Sequence, residues 1–204
     1  MAVLWRGRAP LLLASTSRVR RKLLEGAGIP VEAVAPGVDE RALQHSIGPG
    51  VAAGDLAAHL AGAKAEAVAR QHPDRVVIGA DQVLAFEAEC LGKPGTREAA
   101  RRQLARLAGR SHVLHSAVAL AVDGQVRGTA IETARLTLRD LDDAAIALYV
   151  EAAGEAALHS AGGYEIEGLG IHLFSRVEGE HSTILGLPLL PTLAMLRELN
   201  LLAL

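Results

Sequence analysis

Asp81 follows a short apolar run, Val76–Ile78, and the pair Gly79-Ala80. That placement predicts a carboxylate near the carboxyl end of a buried strand, the edge where open α/β sheets bind ligands. A carboxylate there can hold Mg2+, position a water or accept a proton; the alternative is an Asp in an ordinary turn. Lys93 sits in Gly92-Lys93-Pro94. Glycine lets backbone approach a ligand and proline stiffens the turn, so this lysine reads either as a phosphate contact or as a solvated turn residue. Lys64 belongs to an Ala-rich stretch of helical spacing, Val51–Gln71, and falls between Leu60 and Val68 on its apolar side. Either its alkyl stem snorkels or its ammonium points into an anionic cleft. Glu40, in Val38-Asp39-Glu40, is a surface acid by default. With Asp81 it would complete a hard-cation site, because Mg2+ takes one or two carboxylates plus substrate phosphates.

A second cluster lies near the start of the chain. Leu11–Ala14 is apolar, Ser15-Thr16-Ser17 follows, and a basic segment begins at Arg18. A strand that hands over to a helix N-terminus leaves unpaired N–H groups, which attract anions. On the helical wheel Val19, Leu23, Leu24 and Ala27 share one face, with Arg18, Arg21, Lys22 and Glu25 on the solvated side. Arg20 falls within the apolar face, where a guanidinium is costly unless it is paired or meets a ligand. Ser15 and Ser17 read as phosphate contacts or helix caps, since no base is tied to them in sequence. Glu165 and Glu167 sit in a glycine-punctuated loop, Gly162–Gly170, as acids that are commonly solvated. The eight histidines show no ligand spacing; His112 and His115 fall in a strand-like run that points them to opposite sides. Ser15, Arg20, Lys64 and Lys93, with Asp81 and Glu40, suit a polyphosphate and a divalent ion better than a neutral substrate.

The elements that must position these groups alternate. Strands are expected at Leu11–Ser15, Pro30–Ala35, Val76–Ile78 and Ile171–Val177, with helices at Arg18–Ala27, Val51–Gln71, Arg97–Leu107, Asp142–Glu151 and from Gly186-Leu187-Pro188-Leu189 to Leu199. Val38–Arg41 reads as an acidic loop or strand edge. Val83–Phe86 and Glu89–Leu91 suggest a hairpin or an extended continuation. His112–Val122 and Val126–Leu138 are β-rich and meet at Asp123-Gly124, a hairpin signal. The order predicts an α/β class with a mixed sheet.

Composition sets the outer bounds. At 204 residues the chain fits one domain, 1–204, or two lobes sharing a cleft. Half of the residues are hydrophobic and 2% aromatic, so Leu, Val and Ala must fill the core. A formal net charge of -2 gives no bulk basic character for nucleic acid. Cys90, the single cysteine, excludes a disulfide framework and a Cys-rich zinc site, and reads as a small buried or edge residue. The apolar run from Leu11 to Ala14 is too short for a signal segment or a membrane span, so a cytosolic location without membrane association is expected.

An ordered set of motifs ties these residues together: Leu13-Ala14-Ser15-Thr16-Ser17-x-x-Arg20-Arg21, Val38-Asp39-Glu40, Ala63-Lys64-Ala65, Gly79-Ala80-Asp81-Gln82-Val83, Gly92-Lys93-Pro94, Ala161-Gly162-Gly163-Tyr164 with Glu167-Gly168-Leu169-Gly170, and Gly186-Leu187-Pro188. From about Leu11 to Leu199 the chain resembles the Maf proteins, also called septum-formation inhibitor-like proteins. The resemblance implies a two-lobed α/β fold with a mixed central sheet and a cleft, and a reaction in which NTP and water give NMP and pyrophosphate. It implies a divalent metal, Mg2+ or Mn2+, and a homodimer. By motif, Asp81 takes the general-base position, Ser15, Arg20, Lys64 and Lys93 the phosphate-contacting positions, and Glu40 the acidic position beside the metal. Arg18 stands where the family usually has Pro, which would pre-set the helix start. Val19, Gln82 and Glu167 occupy three specificity positions that are usually Arg, Thr and Gln in the dTTP/UTP branch. The set looks more like the branch that hydrolyses 7-methyl-GTP. A carboxylate at Glu167 would favour the cationic base and accept from its N1–H and N2–H2 edge, Gln82 could add amide contacts, and Tyr164 is the nearest aromatic for stacking. Two alternatives stay open: a dTTP/UTP pyrophosphatase, and a nucleotide-binding regulator of septum formation without important catalysis.

Overall fold

In the computed structural model, residues 4–48 and 50–204 are described. Seven strands hydrogen-bond into one mixed sheet in the order β2-β1-β3-β5-β6-β7, with β4 on β3. They are β1 (Leu11–Ala14), β2 (Val31–Ala33), β3 (Val77–Phe86), β4 (Glu89–Leu91), β5 (Ser111–Val122), β6 (Gln125–Leu138) and β7 (Phe174–Glu178). The chain divides into two compact units. The first holds the chain up to Gln82, Ser116–Glu132 and Glu180–Leu204; the second holds Val83–His115 and Thr133–Gly179.

In the first unit β1 is flanked by β2 and β3, both parallel to it. A parallel strand covered on both faces must be apolar throughout, and Leu11, Leu12, Leu13 and Ala14 are all fully buried. The core around it joins Trp5, Leu24, Ile29, Ile78, Val118, Leu120, Leu187 and Leu196. α1 (Arg18–Gly26) starts at Ser17, whose hydroxyl accepts from Arg20 N at 3.3 Å. α3 (Ala53–Gln71) lies against β3 where Gly79 has no side chain: a Cβ there would stand 2.2 Å from Ala61 O and 2.6 Å from Ala65 N. β5 and β6 are joined by Asp123 and Gly124, both at positive φ, as the two-residue hairpin turn requires.

Three expectations are corrected in this unit. The loop reading of Val38–Arg41 holds only for Val38 and Asp39; Glu40 opens α2 (Glu40–Ile47), capped by Asp39 Oδ1 accepting from Ala42 N at 3.0 Å. α2 is short and buries none of its residues fully, but Leu43 and Ile47, four apart, are half-buried, and the Asp39 cap with Glu40 in the first turn adds a start signal. Second, Asp81 is not at the end of its own strand, because β3 runs on through it to Phe86. The strand that ends is β1: its Ala14 pairs with Gly79, two residues short of Asp81. Third, a short helix, α7 (His181–Ile184), precedes the last helix, α8 (Leu189–Glu198).

In the second unit β4 pairs antiparallel with the end of β3, and α4 (Arg97–Leu107) is capped by Thr96 and buries Ala100, Leu104 and Leu107. α5 (Asp143–Ala153) is capped by Asp142 and followed by α6 (Ala156–His159). The strand expected at Ile171–Val177 begins later: Leu169–Leu173 is a 3-10 turn and β7 starts at Phe174. Cys90 lies exposed on β4. Among the described residues no helix is long and apolar enough to cross a membrane.

Candidate active site

Gly79 and Asp81 share one face of β3, because strand side chains alternate. The contact of α3 at Gly79 therefore brings Lys64, beside Ala65, over Asp81. Lys64 Nζ donates to Asp81 Oδ1 at 2.5 Å and meets Glu40 Oε1 at 2.8 Å. Lys64 is 6% and Asp81 7% exposed, whereas the Glu40 side chain is half-exposed. Lys64 thus points its ammonium at two carboxylates, and the snorkelling alternative falls away. Burial pushes the Asp81 carboxyl above its ordinary range; Lys64 and Arg20 pull it back, and Glu40 adds to the rise.

Arg20 projects from the first turn of α1 and is tied down by backbone. Its Nε donates to Gly186 O at 2.8 Å and its Nη1 to Ala80 O at 2.7 Å, with Ser15 Oγ at 3.4 Å. These partners explain how a guanidinium occupies the apolar face of the helix. Nη2 makes no hydrogen bond among the described residues, and Gly186, at φ +89°, would place a Cβ 3.2 Å from it. Burial lowers the Arg20 pKa, while Asp81 and Glu40 raise it; arginine remains charged regardless. Ser15 is buried, and its Oγ also accepts from Ser17 N at 3.2 Å. Val19, next to Arg20, is half-buried.

Gln82 faces a different set of partners. Its Nε2 donates to Ser116 Oγ at 2.9 Å, Thr183 O at 3.1 Å and Ile184 O at 3.0 Å. Ser116 Oγ donates in turn to Thr183 O at 2.7 Å, and Thr183 Oγ1 to Glu132 Oε2 at 2.5 Å. Ser116, Thr183 and Glu132 carried no signal in the sequence, since a lone hydroxyl or acid in a strand or short helix has no distinguishing spacing. The N–H groups of the Gln82 amide are thus engaged within the protein, which leaves its oxygen as the group that could meet a base.

Lys93 and Glu167 belong to the second unit. Lys93 is exposed on the turn before α4, in an open depression with Arg102, Gln103 and Arg106, and Gln103 Nε2 braces that turn by donating to Gly92 O at 3.0 Å. Glu167 is exposed, and Glu165 accepts from Ser160 Oγ at 3.1 Å. Tyr164 does not present an open ring for stacking. It is 6% exposed, its hydroxyl meets His112 Nε2 at 2.5 Å, and its ring stands edge-on to Phe174 with centroids 4.8 Å apart.

Among the described residues no three His, Cys, Asp or Glu side chains converge as a metal-binding group. Glu40 and Asp81 do converge on one point, the Lys64 ammonium. Glu40 Oε2 and Asp81 Oδ2 make no hydrogen bond among the described residues, so the donor chemistry fits a hard divalent ion that also takes phosphate oxygens.

The family model described as Maf-like protein matches residues 10–199. The chain belongs to the Maf-like family. Relatives named nucleoside triphosphate pyrophosphatase carry the similarity across nearly the whole length of this Maf-like protein. One, from Nitrobacter winogradskyi, is 51% identical over 201 residues, covering 98% of this chain and 99% of the relative. Another, from Rhodopseudomonas palustris, is 50% identical over 200 residues, covering 98% of each. A third, from Rhodospirillum rubrum, is 45% identical over 189 residues, covering 92% of this chain and 94% of the relative.

Proposed function

We propose that this Maf-like protein is a nucleoside triphosphate pyrophosphatase, hydrolysing NTP to NMP and pyrophosphate. The observation that carries the reading is Asp81: a buried carboxylate just past the end of β1, held by Lys64 with the Arg20 guanidinium nearby. The full-length similarity to relatives of that name supports it. Water attacks the α-phosphorus while Asp81 accepts its proton. The bond from the α-phosphorus to the α,β-bridging oxygen breaks, and pyrophosphate leaves with the electron pair. A carboxyl raised by burial suits this role, since a base works best with a pKa near the working pH. Arg20 and Lys64 stabilise negative charge on the phosphates, and Ser15 holds Arg20 while contacting them. Asp81 and Glu40 would hold a divalent cation, which supplies charge neutralisation at the phosphate oxygens.

For the base we propose 7-methyl-guanine. The family resemblance supports this: Glu167 holds a specificity position by motif, and its exposed carboxylate would complement a cationic ring and accept from the N1–H and N2–H2 edge. The test is pyrophosphate release from 7-methyl-GTP, GTP, dTTP and UTP with Mg2+ or Mn2+, wild type beside Asp81→Asn. Turnover fastest on 7-methyl-GTP and abolished in Asp81→Asn is expected. Fastest turnover on dTTP or UTP would overturn the base assignment alone. No turnover on any nucleotide would overturn the enzyme reading in favour of a regulator.

A further inference from the structure

We propose that Gln82 is a positioning residue for Arg20, acting through the Thr183–Gly186 turn, and not a reader of the nucleotide base; this rests on the reading that Arg20 grips the phosphates. Asp81 and Gln82 leave β3 on opposite faces, so the Gln82 amide points away from the Lys64 side. Its two N–H groups are shared among three acceptors on the chain, Ser116 Oγ, Thr183 O and Ile184 O. Thr183 O receives two further donors, Ser116 Oγ at 2.7 Å and Gly186 N at 3.0 Å. The turn is pinned again by Leu187 N donating to Ser182 O at 2.9 Å and by Thr183 Oγ1 on Glu132.

What this bracing presents is one carbonyl. Gly186, at φ +89°, aims its oxygen at Arg20 Nε, 2.8 Å away. The second anchor of Arg20, Ala80 O, sits two residues before Gln82 on the same strand. β3 therefore sets both points that fix the guanidinium: Ala80 directly and Gly186 through the Gln82 amide. Without the amide, the Thr183 and Ile184 carbonyls lose a shared donor, the turn relaxes, and Nη2 loses its aim.

The test uses inorganic tripolyphosphate, which has no base, and the whole chain. Its affinity is measured calorimetrically for wild type, Gln82→Met, Arg20→Lys and the double variant, with thermal melts to confirm folding. Gln82→Met is expected to weaken binding about tenfold, within the range for a lost hydrogen bond in a charged site. It should weaken the double variant little beyond Arg20→Lys alone, because one residue acts through the other. It should also lower kcat/KM by one common factor across 7-methyl-GTP, GTP, dTTP and UTP. Full tripolyphosphate affinity in folded Gln82→Met, with Arg20→Lys weakened, would overturn the inference and leave the phosphate reading standing. Full affinity in both would overturn both. Should Gln82→Met fail to fold, Ser116→Ala carries the test: a smaller loss of tripolyphosphate affinity with unchanged nucleotide preference supports the proposal, and unchanged affinity overturns it.

Discussion

Lys64 and Asp81 form a buried ion pair at 2.5 Å across the contact between α3 and β3. Taking both charges out of water is costly, and removing one partner leaves the other uncompensated. Lys64→Met is expected to destabilise the fold by about 3 kcal/mol. Asp81→Asn in the same chain should recover part of that loss, since the uncompensated carboxylate is then gone. Urea denaturation of the single and double variants at pH 7 checks this; strictly additive losses would show that the pair is not coupled.

The raised Asp81 carboxyl gives a pH signature. The base acts when deprotonated, so kcat/KM should fall at acid pH as Asp81 takes up its proton. Lys64 lowers this pKa, so Lys64→Met should move that acid limb to higher pH. Stability carries the opposite sign. The folded state keeps the Asp81 proton longer than the unfolded chain, so this group's contribution is full at low pH and is lost as pH rises through the folded value. An acid limb that Lys64→Met leaves in place would remove Asp81 as the kinetically visible base.

Gly79→Ala tests how Lys64 is delivered. The new Cβ would lie 2.2 Å from Ala61 O and 2.6 Å from Ala65 N, both backbone atoms that cannot step aside alone. The helix must shift, at a cost of about 3 kcal/mol. Lys64 should withdraw from Asp81 with it, lowering kcat in whatever fraction remains folded. A variant with wild-type melting temperature and kcat would contradict the close approach.

His112 predicts an acid sensitivity in the second unit. It is 1% exposed, its Nε2 meets the Tyr164 hydroxyl, and its Nδ1 has no partner among the described residues. Burial pushes its pKa from 6.5 down to about 4. The unfolded chain takes up that proton first, so stability present above about pH 6.5 is lost as pH falls toward 4. By linkage the full loss is about 3 kcal/mol. His112→Gln should flatten stability across that window, as read by chemical denaturation at pH 7 and pH 5.

Part of the site was legible because charge violated burial. Arg20 on the apolar face of α1 and Lys64 on the apolar side of α3 both break amphipathic patterning, and both prove to be held by the first unit's polar network. Asp81 was found for a partly mistaken reason: Gly79 reads as the end of a strand, whereas it is the seat of a helix inside a longer one. α2 was missed although its cap and the four-residue spacing of Leu43 and Ile47 announce it, because only those two apolar positions mark so short a helix. Ser116, Thr183 and Glu132 were beyond reach, since their meeting with Gln82 depends on pairings across the sheet and not on spacing. The resemblance supplied the place of Gln82 among the specificity positions; only the geometry shows where its amide is spent.

The bond from Arg20 Nε to Gly186 O joins residues 166 positions apart. During synthesis, Ser15, Arg20, Lys64 and Asp81 all leave the ribosome long before their last brace exists. Until the Thr183–Gly186 turn emerges, the guanidinium lacks one of its two backbone anchors, and this contact closes among the last. Arg20 is therefore fully braced only once two segments 166 positions apart have met.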